Sequence, residues 1–271
     1  MLSSSERIAR ANVLGVGIHA VDMDTAVAVI ESSVHSDNKG YVCVAGVHGV
    51  MEAQRDRRLA SILSNALLVV PDGMPTVWVG RWQGLSKMQR VFGPDLMLRL
   101  FQRAAVNGFS HFLCGGDYGV GEQLRCNLQS QFPDARILGS YRPPFRKLTS
   151  REEAELLRMI ERLRPDIIWV GLSTPKQEQF MAEYFPRMHT KLMIGVGAAF
   201  DYHTGRIQDS PQWVKQAGLQ WLHRLAQHPA RLWKRYLRNN PQFIALLALQ
   251  LSGMKKYSLP VVADQAATSD S

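Results

Sequence analysis

The feature that most constrains this chain is an apolar run, Leu67-Leu68-Val69-Val70, cut off by Pro71-Asp72-Gly73. Four interior-type residues followed by proline and glycine predict a buried strand that ends abruptly. Similar strand-like segments at 13–18, 41–47, 110–114, 136–141, 166–171 and 191–196 alternate with helix-like ones at 24–33, 55–63, 95–107, 119–132 and 151–164. A further helix is expected after Pro175. Such alternation builds a mostly parallel, Rossmann-like α/β sheet with helices on both faces. Open sheets of this kind hold ligands beyond the carboxyl ends of their strands. Asp72 therefore falls where a carboxylate can take a proton or bind a hydroxyl, although an aspartate at a strand stop also serves as a helix cap or a turn residue.

After Gly205 the pattern changes to tryptophan- and arginine-rich helical segments punctuated by Pro211, Pro229 and Pro241. The expected division is an α/β catalytic domain over 1–205, a basic helical appendage over 206–257, and a disordered small-residue tail over 258–271. Charge supports the division. Of the net +9, the stretch 206–256 carries +8, with nine lysines and arginines against Asp209 alone. A basic end of this kind suits an anionic membrane, a pyrophosphate-bearing ligand or nucleic acid. Its Trp and Arg residues recur at helical spacing among apolar neighbours, unlike an exposed base-stacking platform, so nucleic acid is not an expected partner.

Hydrophobic residues make up 46% and charged residues 20% of the chain, the balance of a globular protein. Cys43, Cys114 and Cys126 lack metal-type spacing, and the first two lie in apolar runs, as expected of reduced core residues in a cytosolic protein. The start, Met1 to Arg7, has no apolar signal core and is expected to be retained. No stretch approaches the roughly 20 apolar residues that a spanning helix needs.

Several motifs fall at strand ends. Gly115-Gly116-Asp117-Tyr118-Gly119 follows a strand and precedes a helix, where glycines let backbone approach a phosphate and free N–H groups receive it. A tight turn explains the same residues equally well. In Gly171-Leu172-Ser173-Thr174-Pro175-Lys176-Gln177-Glu178, proline is expected at the first helical position, which puts Lys176 and Gln177 in the first turn. Lysine is disfavoured at the positive end of a helix dipole unless an anion is present, although Glu178 could compensate. Gly195-Val196-Gly197 with Phe200-Asp201 repeats the theme. Asp72, Lys176, Gln177 and Asp201 thus converge on one rim of a parallel sheet. His48, in Gly46-Val47-His48-Gly49, reads either as a substrate contact or as a turn histidine. Asp22-Met23-Asp24 matches a metal-binding Asp-x-Asp pattern, but a capping role before a helix suffices for it.

Taken together, these segments resemble the WecG/TagA/CpsF family of glycosyltransferases. The likeness runs from about Val13 to Phe243. It includes Val70-Pro71-Asp72-Gly73-Met74, Arg90-Val91-Phe92-Gly93-Pro94-Asp95, Cys114-Gly115-Gly116, Pro175-Lys176-Gln177-Glu178, Phe200-Asp201, and Trp221-Leu222-His223-Arg224 with Arg231 and Arg235-Tyr236. The resemblance implies an inverting transferase that moves a sugar from a UDP-sugar to a hydroxyl of a polyprenyl-diphosphate-linked saccharide, with no cofactor and no obligatory metal. It makes Asp72 the catalytic base and Arg90 its partner, and assigns donor binding to Gly115, Gly116, Gly171, Pro175, Lys176, Gln177, Gly195, Gly197 and Asp201. His48, Arg224 and Arg231 are the candidate acceptor contacts.

The implied location is cytoplasmic, peripheral on the inner face of the plasma membrane, with the appendage meeting an anionic surface or closing over the site. A buried helical pair packed on the main sheet, or a homo-oligomeric contact through the same helices, is the open alternative. Two departures bear on specificity. Many members carry Thr-x-Asn where this chain has Val44-Ala45-Gly46, and those members tend to use N-acetylmannosamine-type donors. The Gly46-Val47-His48-Gly49 variant looks like that of exopolysaccharide enzymes, which points to glucose, so UDP-glucose and UDP-N-acetylmannosamine types both stand. Gln220 also replaces a customary glutamate. A nucleotide-dependent oxidoreductase on a similar sheet is the alternative reading, and the missing dinucleotide fingerprint counts against it.

Overall fold

The computed structural model describes residues 8–36 and 38–260. Six strands form one sheet: β3 (Gly40–Ala45), β4 (Leu68–Pro71), β5 (Ser110–Gly115), β6 (Arg136–Tyr141), β7 (Ile167–Gly171) and β8 (Leu192–Gly195). The spatial order is β4-β3-β8-β7-β5-β6, and every neighbouring pair is parallel. Five of the six strands are almost wholly buried, because helices cover both faces. Alternate residues feed opposite layers. Cys43, Ile168 and Val170 join one core cluster, whereas Val42, Trp169 and Ile194 join the other. The cysteine expectation is met at Cys43 and Cys114, both buried and unpaired.

The 13–18 segment differs from the expected single strand. It is part of an antiparallel hairpin, β1 (Arg10–Val13) with β2 (Val16–His19), outside the main sheet. Leu14 and Gly15 both take positive φ, 52° and 83°, the geometry of a two-residue turn that matches strand twist. The apolar run hides this turn because leucine is an unusual occupant of such a position.

Twelve α-helices lie among the described residues. α1 (Met23–His35), α5 (Gly93–Asn107), α6 (Val120–Gln131) and α7 (Ser150–Leu163) fall close to their expected places. The strand expected to reach 47 stops at Ala45, and α2 (Val47–Arg55) begins after Gly46. The helix expected at 55–63 is α3 (Arg57–Ser64), started by Asp56, whose side chain accepts the Arg58 N–H at 2.8 Å. α4 (Met74–Trp82) is new relative to the sequence reading, since its Pro, Gly and β-branched residues are weak helix formers. Burial decides it: Gly80 packs so closely on Met88 that a Cβ would lie 2.2 Å from the sulfur.

α8 (Lys176–Tyr184) starts one residue later than expected, with Pro175 at the N-cap rather than the first turn. α9 (Ala199–His203), α10 (Gln212–Gln216), α11 (Gln220–Gln227) and α12 (Pro229–Leu251) complete the chain. Pro211 and Pro229 begin helices, but Pro241 does not end one; α12 runs through it for 23 residues. α12 is tied down along its length. Arg55 donates to Asn239 at 2.8 Å and Gln242 at 2.6 Å, and Gln250 bridges Leu14 N–H and Asn12 C=O at 2.9 and 2.8 Å. The tail expected from 258 opens with Ser258 and Leu259 lying against Gly15 and Gly17 of the hairpin, while 261–271, like the start at 1–7 that is expected to be retained, lies outside the described residues. Among the described residues no helix is long and apolar enough to cross a membrane.

Candidate active site

Because the sheet is parallel, the carboxyl ends of β4, β3, β8, β7 and β5 share one edge. α4, α11 and α12 stand opposite that edge, and between them lies a cleft of about 1650 Å³. Its walls include Asp72, Arg90, Gly116, Gly171, Lys176, Gln177, Gly197 and Asp201 from the sheet side. Arg224, Arg231, Arg235, Tyr236 and Asn239 come from the helical side, and His48 from the start of α2.

Asp72 is the first residue after β4 and is half-buried. Its backbone is fixed twice: its N–H donates to Ala45 O at 3.1 Å, and its C=O accepts Arg90 Nε at 2.6 Å. The carboxylate accepts only a long contact, from Gly93 N–H at 3.4 Å. Among the described residues no cation is paired with it, and as it lines the cleft it is open to a proton from a bound ligand. Arg90 acts on the main chain of Asp72 and not on its carboxylate. Its guanidinium stacks over Phe92 at 4.2 Å, and its other arm donates to Gln220, whose amide nitrogen is 3.4 Å from the Tyr202 hydroxyl. Gln220, which replaces a charge, is therefore the bridge between the rim and the helical wall.

Gln177 is buried, only 2% exposed. Its carbonyl accepts Gly197 N–H at 2.9 Å and its NH₂ donates to Glu178 at 2.9 Å; the same Glu178 oxygen accepts Thr174 Oγ1 at 2.9 Å. Burial pushes the Glu178 carboxyl up, and its second oxygen has no partner. This chain couples the loops after β7 and β8. Gln177 therefore shapes the rim from beneath, showing the cleft only an edge.

Lys176 is exposed, with Nζ 5.6 Å from the Phe145 ring centre and 3.4 Å from Phe145 C=O, and no carboxylate among the described residues pairs with it. Asp201, on α9, receives Arg206 and Ile207 N–H groups at its main-chain oxygen. Gly115, Pro175 and Gly195 do not reach the cleft wall. A Cβ on Gly115 would lie 2.5 Å from Gly171 O, and one on Gly195 would lie 2.7 Å from Met181. Those two glycines serve close packing between strands and helices. Gly116 and Gly197, with φ of 76° and 55°, form the turns that do line the cleft.

His48 lies in the first turn of α2, with Nε2 3.3 Å from Thr174 O and Nδ1 3.0 Å from Asn239 Nδ2. Burial and the nearby Arg235 lower its pKa to about 4, so the ring is neutral at pH 7. It joins the β3 and β7 loops to α12.

The helical wall carries the charge. Arg224 stands 5.8 Å from the Tyr202 ring centre, Arg235 5.4 Å from the Tyr236 ring centre, and neither Nε has a hydrogen-bond partner. Burial lowers the Arg235 pKa, and Arg224 and Arg231 lower it further. Among the described residues no carboxylate pairs with any of these three arginines. Three guanidiniums gathered on one cleft wall can receive an anion there. The sequence reading singled out Arg224 and Arg231; Arg235 follows from the same spacing, whereas Tyr202 and Asn239 carry no signal of their own. Asp22 and Asp24 are outside the cleft. Asp22 caps α1 by accepting Thr25 N–H at 2.8 Å, and Asp24 pairs with Arg99 at 2.5 Å.

A carboxylate at a strand end and arginines on the facing helices share one cleft at the carboxyl edge of a parallel sheet, a layout suited to group transfer with anionic substrates. The comparisons narrow the class. Residues 11–257 match the family described as "Glycosyl transferase WecG/TagA/CpsF family", and the chain belongs to that family of glycosyltransferases. It is similar to an N-acetylglucosaminyldiphosphoundecaprenol N-acetyl-beta-D-mannosaminyltransferase of Bacillus spizizenii, 27% identical over 246 residues, covering 90% of this chain and 93% of the relative. A protein of the same description from Bacillus subtilis is 29% identical over 208 residues, covering 77% and 78%. Membership removes the oxidoreductase reading.

Proposed function

We propose that this enzyme transfers a sugar, with inversion, from a UDP-sugar to a hydroxyl of a polyprenyl-diphosphate-linked saccharide in bacterial surface or exopolysaccharide synthesis. The observation that carries this reading is the opposition of Asp72 to the Arg224, Arg231 and Arg235 cluster across one cleft. An inverting displacement needs one base for the acceptor hydroxyl. The Asp72 carboxylate is unpaired and held by a doubly bonded backbone, so it can take that proton as the oxygen attacks the anomeric carbon. The departing UDP needs its growing charge neutralised. Lys176 serves it on the sheet side, beside the Gly116 and Gly197 turns, with Asp201 nearby. The arginines hold the acceptor diphosphate, the charge-assisted contact to which guanidinium is suited. These cations fill the role a metal has in other transferases, so no metal is required.

Both relatives are named for N-acetylmannosaminyl transfer to a lipid-diphosphate N-acetylglucosamine. The donor here is a UDP-sugar of the N-acetylmannosamine or glucose type, presented beside His48 and Gly46. A lipid-borne acceptor places the enzyme on the inner face of the plasma membrane, with its basic helices toward the anionic leaflet, where each basic residue contributes about 1 kcal/mol. The test is a panel of UDP-sugars with a synthetic lipid-diphosphate N-acetylglucosamine, with and without EDTA. One UDP-sugar should give a disaccharide of inverted anomeric configuration, and EDTA should leave the rate unaltered. Retention of configuration, or loss of activity in EDTA restored by manganese, would contradict the mechanism.

A further inference from the structure

The cleft-facing side of α12 changes character halfway along. Arg231 and Arg235 begin it, the buried Asn239 lies at the middle, and Ile244, Leu247 and Leu251 finish it. Arg231, Arg235 and Asn239 follow one another at four-residue spacing, Ile244, Leu247 and Leu251 at three and four, and all six line the same cleft. The opposite wall is α4, whose Met74, Trp78 and Trp82 recur every four residues and line the same cleft. The first turn of α4 adjoins Asp72.

At the far end both helices are tied to the same carbonyl of the β1–β2 hairpin. Gln83, next to Trp82, and Gln250, next to Leu251, both donate to Asn12 C=O at 2.8 Å. The result is a groove with Asp72 and the arginines at one end and apolar side chains along the rest. Those side chains lack protein cover: Trp82 is 63%, Ile244 66% and Leu251 51% exposed. Solvent-facing apolar side chains in two aligned rows mark a binding surface.

We propose that this groove receives the prenyl chain of the acceptor, beginning at the diphosphate held by the arginines. The assignment rests on the transferase reading for its ligand, but the geometry selects the chemistry independently: an anionic head at one end and an apolar tail at the other. The occupant is one amphiphile, since the basic and apolar halves follow one another along a single helix and line one continuous cleft. The α4 and α12 side chains grip the segment of chain nearest the diphosphate, which aims the acceptor sugar at Asp72.

The test uses the full chain and calorimetric titration with farnesyl diphosphate, below its micellar concentration, against inorganic diphosphate. Farnesyl diphosphate should bind the wild type about tenfold tighter or more, the difference made by the apolar tail. A Trp82→Ala/Leu251→Ser variant should lose most of that gain while binding inorganic diphosphate as the wild type does. Ile244→Gln, at an exposed position, provides a second variant whose fold is checked by its melting temperature. Equal affinities of the two ligands in the wild type would overturn the proposal, as would a variant that weakens both equally. It would also be overturned if the variants kept the farnesyl gain but lost sedimentation with phosphatidylglycerol vesicles, which makes the rows a bilayer contact. Dissociation of a wild-type dimer, again with the gain retained, would make them a subunit contact and have the same effect. Binding needs no sugar transfer. A protein that prefers farnesyl diphosphate yet moves no sugar keeps this inference and loses the transferase reading, and the reverse result does the opposite.

Discussion

The two walls of the cleft are built on different principles. On the sheet side, functional groups are held by main chain and buried polar contacts: Asp72 by Ala45 and Arg90, the Gly197 turn by Gln177, and Gln177 by Glu178. On the helical side, α11 buries no residue fully, and the arginines stand beside tyrosine rings without carboxylate partners. The first wall is pre-organised and pays its ordering entropy on folding. The second carries charge that no carboxylate among the described residues offsets. Damage to the first should therefore lower stability and activity together, whereas damage to the second should lower activity alone.

The largest effect that separates the walls is expected from Arg224→Ala/Arg235→Ala. Each charged contact contributes about 1.5–3 kcal/mol, so acceptor kcat/KM should fall roughly a hundredfold or more. The melting temperature should hold or rise as the guanidiniums stop repelling one another. A large loss of stability would show that the arginines serve the fold. Next comes Gln177→Ala. It leaves the Gly197 N–H without its partner, so it should cost about 1–3 kcal/mol of stability and raise the UDP-sugar KM. Denaturant titration alongside steady-state kinetics checks this, and unaltered stability would refute the pre-organised wall.

A smaller effect follows from pH. Burial holds His19 and His48 at about 4, below the ordinary 6.5, so both are neutral when folded at pH 7. Their contribution is fully present above pH 6.5 and is lost as pH falls toward 4, because the unfolded chain binds those protons first. Stability at pH 5 should be lower than at pH 7 by about 1–2 kcal/mol per histidine. His48→Gln should flatten part of that slope. The smallest effect is expected at the exposed Glu122–Arg125 pair on α6, outside the cleft, where Arg125→Ala should leave turnover and melting temperature unaltered.

The same contrast governs what the sequence discloses. Strands buried on both faces announce themselves as apolar runs, and the glycines and aspartates at their ends locate the rim; that is why Asp72, Lys176 and Asp201 can be named in advance. α4 is hidden because burial overrides its weak propensity, and the β1–β2 turn because Leu14 occupies a position that favours asparagine or glycine. Sequence spacing does not show whether a residue faces the cleft or supports it. Gly115 and Gly195 have phosphate-loop neighbours yet pack against Gly171 and Met181, and Gln177 points inward. On the helical side, the basic charge and its spacing are plain, but the partnership of His48 with Asn239 is 191 residues apart in the chain and has no local signature.

The central claim is that Asp72 is the base on the pre-organised wall, and Asp72→Asn tests it most directly. Asparagine keeps the shape and the backbone contacts while removing the proton acceptor. Transfer from the preferred UDP-sugar to a lipid-diphosphate acceptor should fall by about a hundredfold or more, with UDP-sugar affinity and melting temperature close to wild type. Near-normal turnover in a folded Asp72→Asn protein would contradict the account and leave Asp72 as the residue that ends a strand.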